Sequence, residues 1–274
     1  MNLSSMMTVQ EAIDQFDAAS IAADRMHGQE VERCLDAFSA YLLHFSDLFH
    51  DDEHLDEGAM EEWEESLGAY MEQLFEGDVE PSQDLGGLTL NQLDPEHVHD
   101  FLAWFILRET EGDQEAVQIC GRVMLEWIEY LAGRGWIDMA DKIGFLDSIR
   151  DAVEVGQRVA KAARLLLRFV RMGSSMPEAM RTVPFSDFVE GHARVHRIEG
   201  RGVSLSFDED APEVGPIELP DEIVALLREG DVMDVEVGRR GDVWQMVDIG
   251  PVYPASVHVE PELFGIGDIK GDGA

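Results

Sequence analysis

Histidine and carboxylate lie closest together in His50-Asp51-Asp52-Glu53-His54. On a helix, two imidazoles four residues apart face one way, and with a carboxylate beside them they can chelate zinc or a similar metal. His50 and His54 are therefore the candidate metal ligands. His44 lies six residues earlier, and His97 and His99 open another helix that a bundle could bring near. A bound metal there would support hydrolysis by polarising a water. The simpler reading is that this stretch marks a helix boundary, where polar residues accumulate because the backbone meets water.

A second cluster is cationic. Over 150–171, Arg150, Lys161 and Arg168 project within about 20° of one another at roughly 100° per residue, with Arg164 and Arg171 on the flank. Such a stripe can bind phosphate or nucleic acid if exposed. Alternatively it lies against acidic N-terminal helices and closes the domain by ion pairs, and the apolar residues interleaved with it (Leu165 to Leu167, Phe169, Val170) favour this second reading. No GxSxG, Walker loop, HExxH, EF-hand loop or strand-borne GxGxxG is present, so no catalytic residue and no cofactor is assigned. Cys34 and Cys120 lack metal-site spacing and read as buried free thiols.

Charge constrains the partner. Lys+Arg is 20 against Asp+Glu 57, a formal net charge of -37, and only Lys142, Lys161 and Lys270 are lysines. A surface of this sign repels nucleic acid and anionic lipid, which makes nucleic acid the disfavoured partner and another protein the expected one. From Met1 to Leu90 the excess is denser than the chain average, with 22 acids against only Arg25 and Arg33. It fits either a salty cytoplasm or a face for a basic partner. The longest apolar run, Phe101 to Leu107, is far short of the roughly 20 residues that span a bilayer. The first residues carry neither the basic start nor the apolar core of a leader, so a cytoplasmic protein without a membrane segment is expected.

The elements that would position these residues are mainly helical. Thr8 with Glu11 forms a capping box ahead of Ile13, Phe16 and Ile21, and His27-Gly28 should end that helix. Gln29 to Phe49 carries Val31, Leu35, Phe38, Leu42 and Phe45 on one stripe, and a third helix carries Met60, Trp63 and Leu67. Asp94-Pro95 opens a helix to Thr110, Asp113 opens another to Ala132, and a long helix runs from Met139 to Met172. After Gly173 the period changes. Alternating segments at Ala193 to Glu199, Val203 to Phe207, Val214 to Leu219, Val232 to Val237 and Val243 to Ile249 predict five strands, with a helical turn over Pro220 to Leu227.

The expected fold is thus α+β. An acidic multi-helix domain over 1–182 precedes a small five-stranded SH3-like or OB-like β-barrel over 190–254, followed by a tail over 255–274. Arg197-Ile198-Glu199-Gly200, Leu219-Pro220 and Glu229-Gly230-Asp231-Val232 resemble the pattern of short bacterial β-barrel domains of unknown function, a likeness that implies a barrel and no chemistry. Leu93 to Ile137 is similar to the helical core-binding domain of tyrosine recombinases, but the catalytic Arg, His and Tyr pattern of that family is missing downstream. His50-Asp51 and His99-Asp100 resemble the His-Asp pair of helical metal-dependent phosphohydrolases, without the further His and distal Asp that chemistry needs.

The sequence therefore points to a non-enzymatic interaction or regulatory module. A nucleic-acid-associated protein using the basic helix and the barrel is the alternative, with Phe207, Trp244 and Tyr253 as its aromatics. A metal-dependent hydrolase is the third reading.

Overall fold

A computed structural model describes residues 7–45, 85–172, 182–208 and 212–267. His50, His54 and the helix expected around Trp63 lie outside these residues. Helices come first and an antiparallel sheet follows, which is the α+β arrangement expected. Two compact units form: Met1–Glu109 with Glu115–Glu154, and Thr110–Gln114 with Val155–Ala274. Residues 1–182, read from the sequence as one helical domain, contribute to both.

In the first unit, α1 (Val9–Ala23) starts at the Thr8 capping box, with Glu11 N donating to Thr8 Oγ1 at 3.1 Å and Thr8 N to the Glu11 carboxylate at 3.1 Å. It ends four residues earlier than His27. Asp24 takes an extended conformation and caps α2 (Arg25–His44), so Gly28 lies inside α2 and does not terminate α1. A Cβ on Gly28 would sit 2.6 Å from Ile21 Cγ1 and 2.7 Å from Ile21 Cα, so the absent side chain lets the two helices approach. Ile21, expected on the buried stripe, is 42% exposed, whereas Val31, Leu35, Phe38 and Leu42 are buried as the spacing predicts.

Asp94 accepts from Glu96 N (2.8 Å) and His97 N (3.2 Å) and opens α3 (Pro95–Asp100). The single helix expected here is interrupted by a π-helical turn at Phe101–Phe105 before α4 (Ile106–Glu109). One extra residue in a turn rotates the following face by about 100°, so Phe101 and Leu102 before it and Ile106 and Leu107 after it can all be buried. Then come α5 (Gln114–Arg134) and α6 (Met139–Arg171). Gly135, at φ 71°, closes α5: Trp136 N donates to Leu131 O and Gly135 N to Ala132 O, both at 3.0 Å. Phe38 meets Phe101 and Trp127 at centroid distances of 5.0 and 5.7 Å, which marks the centre of this core.

The second unit combines the C-terminal half of α6 with β1 (Asp187–Glu199), β2 (Gly202–Ser206), β3 (Val214–Glu218), the turn of helix α7 (Asp221–Val224), β4 (Val232–Arg240), β5 (Val243–Tyr253) and β6 (Glu262–Gly267). Strand order is β3-β2-β1-β4-β5, with β6 paired to β1. Two expectations change. β1 begins six residues earlier than Ala193, and a sixth strand replaces part of the expected tail. Gly191 explains both: it looks like a break in the sequence, yet its φ of 156° lets β6 cross it, where a Cβ would lie 2.0 Å from Glu262 O. Side chains alternate, with Ala193, Val195, Val235, Val237 and Met246 buried on one face. β3 approaches β5, but no ladder joins them among the described residues, so the sheet is not closed in register.

Candidate functional site

Asp138 caps α6 by accepting from Ala140 N (2.7 Å) and Asp141 N (2.9 Å), and the helix then continues unbroken for 33 residues. From Val155 onward its buried side is built from Val159, Ala160, Ala162, Ala163 and Leu166. Lys161, Arg164, Arg168 and Arg171 occupy the other side and are exposed. Steps of three, four and three residues keep them in one row about 15 Å long. No acid occurs in α6 after Glu154. Among the described residues none of the four forms an ion pair. Arg164, Arg168 and Arg171, expected from the sequence to pack internally, are thus exposed within this unit. The long aliphatic stems and the small residues on the opposite side let the helix bury one face without covering the guanidiniums. Arg150, on the same stripe, is exposed and bridges to Asp147 at 3.0 Å.

The buried ion pair of α6 belongs to a residue outside that stripe. Arg158 binds Asp231 through two nitrogens at 2.6 and 2.8 Å and also donates to Leu226 O at 2.7 Å. Asp231 is 0% exposed and accepts in addition from Arg228 N at 2.8 Å. Its own carbonyl accepts from Val195 N at 2.7 Å. The carboxylate thus ties the helix to the turn into β4, in the bidentate geometry that suits arginine, while the backbone carbonyl of the same residue holds the middle of β1. The signal was present in the sequence: Arg158 adjoins Val159 and Ala162 on the apolar side, and Asp231 lies inside the turn Glu229-Gly230-Asp231-Val232.

The described histidines are engaged individually. His97 is buried at the first turn of α3, where its Nδ1 accepts from Asp94 N at 3.2 Å. His99 lies between Asp100 (3.5 Å) and Asp151 (3.3 Å), and its pKa is raised, first by the hydrogen bond to Asp100 and against the opposing effect of burial. His27 Nε2 meets Glu126 at 2.7 Å. Among the described residues no group of three or more His, Cys, Asp or Glu could hold a metal ion.

On the outer face of the sheet, Glu190 faces Glu236 across β1 and β4, and Glu236 faces Asp248 across β4 and β5. Glu236 is raised by burial and then by these two neighbours, and Asp234 is raised mainly by burial. At the β4–β5 end, Arg239 lies 5.9 Å from the Trp244 ring and Arg240 3.9 Å from that of Phe185, which packs on Phe188 at 4.7 Å. Phe207 and Tyr253, expected as surface aromatics, are buried at 3% and 4% exposure and belong to the core. Among the described residues no helix is long and apolar enough to cross a membrane. No protein-family model, curated protein or solved structure matches the chain.

Proposed function

We propose that this protein is a non-enzymatic interaction module that holds an acidic segment of a partner protein along the cation row of α6. The observation that carries this reading is that Lys161, Arg164, Arg168 and Arg171 are exposed and form no ion pair among the described residues, in a chain with 37 more negative than positive charges. Intramolecular pairing would be the easiest use of scarce cations amid so many carboxylates. Four exposed in one row, with no ion pair among the described residues, suit an external anion.

The sheet supports a second reading. Its order β3-β2-β1-β4-β5, the helical turn between β3 and β4, and the approach of β3 to β5 suit an OB-like barrel opened at one seam, a form that often binds single strands. Trp244 with Arg239 on the β4–β5 hairpin provides a stacking platform beside a cation. The general negative field opposes this use, so the protein partner ranks first.

Fluorescence anisotropy separates the two. A labelled glutamate-rich peptide and a labelled single-stranded oligonucleotide of equal charge are titrated with the full chain at about 0.15 M salt, where screening length is about 8 Å. Tighter binding of the peptide is expected. Tighter binding of the oligonucleotide, weakened by Trp244→Ala, would transfer the function to the sheet.

A further inference from the structure

We propose that Cys34 and Cys120 form a reversible disulfide under peroxide, locking α2 to α5 inside the helical unit. The chain has two cysteines, and although 86 residues apart they meet in one core: the Cys34 thiol donates to Cys120 O at 3.8 Å, and the residues are 2% and 4% exposed. Buried apolar residues neighbour them along their own helices, Val31, Leu35 and Phe38 on α2 and Val117, Val123 and Met124 on α5, and the Asp36 carboxylate is close enough to act on Cys34. A disulfide requires facing side chains on neighbouring elements, and the Cys34 sulfur lies 3.8 Å from the Cys120 carbonyl on the other helix.

The reaction balances with hydrogen peroxide as the oxidant. One thiol loses its proton and its sulfur attacks a peroxide oxygen, breaking the O–O bond and giving a sulfenic acid and one water. The second sulfur then displaces the hydroxyl, forming the S–S bond and releasing a second water. Two electrons pass from the thiols to the peroxide. Burial holds the Cys34 thiol well above its ordinary pKa, and its hydrogen bond with the Cys120 side chain acts the same way. Thiolate is scarce there, so the first step is slow and the lock responds to sustained rather than brief exposure. No nearby third cysteine exists to divert the intermediate.

The test uses the full-length wild-type chain, treated in its folded state with hydrogen peroxide and analysed by intact mass, peptide mapping and melting. The expected product is a monomer lighter by about 2 Da, with Cys34 linked to Cys120 and both thiols recovered by dithiothreitol. Its melting temperature should rise by about 5–15 °C, because the crosslink closes a long loop in the unfolded chain. Cys34→Ser should show no such rise. Gain of about 16 or 32 Da, a crosslinked dimer, thiols still free after about a day, or an internal link that leaves melting unchanged would each overturn the proposal.

Discussion

Arg158 and Arg168 stand ten residues apart on one helix and do opposite things. Arg158 forms a two-point ion pair with a fully buried carboxylate, so removing it strands a charge that water cannot reach. Arg158→Ala should cost about 3–5 kcal/mol, seen as a large drop in the melting transition of the sheet-containing unit. Arg168→Glu should stay within about 0.5 kcal/mol of wild type, since the side chain is exposed and forms no ion pair among the described residues. Equal melting losses for both variants would mean that the cation row is structural after all. A second residue-level effect concerns Asp36, whose carboxyl burial, Glu32 and Asp17 push up to about 7. The neutral acid is the form the fold prefers. Its contribution is therefore complete below about pH 4 and is lost as pH rises through about 7. Asp36→Asn should raise the melting temperature at about pH 8 by a few degrees and change little at about pH 4, so parallel shifts at both pH values would contradict this assignment.

Among the elements, β6 depends on a single glycine. The backbone of Glu262 and Leu263 lies so close to Gly191 that a methyl group there cannot be accommodated by moving a side chain. Gly191→Ala should release β6 from β1 while β4 stays paired, giving faster amide exchange over 262–267 and little change over 232–237. Protection retained in β6 would show that the strand is held by something other than this close approach. The same glycine explains why the sequence conceals these elements. Gly191 reads as a strand break, and the end of the chain carries too much glycine to suggest pairing, so β1 looks short and β6 looks like a tail. The helical core was legible because Phe38, Trp127 and their neighbours repeat at helical spacing. The π-helical turn was not, since a run such as Phe101 to Leu107 is equally apolar in every register. At the candidate surface, helix geometry alone aligned the row over 161–171. Its exposure was hidden because interleaved leucines signal burial of the helix without indicating how far round the buried face extends.

For the whole molecule, the surplus of 37 negative charges sets the conditions under which any contact is made. Carboxylates with raised pKa occur in both units, at Asp17, Asp36 and Glu109 in one and at Asp234 and Glu236 in the other. Burial is the first cause of each of these shifts, so the response to salt rests on the net charge: added salt should raise the melting temperature at neutral pH by screening repulsion across the surface. A flat or falling melting curve between about 0.05 and 1 M sodium chloride would indicate that local pairing already offsets it.

One anisotropy titration decides whether the row on α6 binds an acidic partner, as proposed, or braces the fold. The acidic peptide is titrated with wild type and with the Arg164→Glu/Arg168→Glu/Arg171→Glu variant at matched folded fraction. Reversing three exposed cations should weaken binding at least tenfold, equivalent to about 1.4 kcal/mol or more. Equal affinity of the two proteins for the peptide would show that the row is not the binding surface.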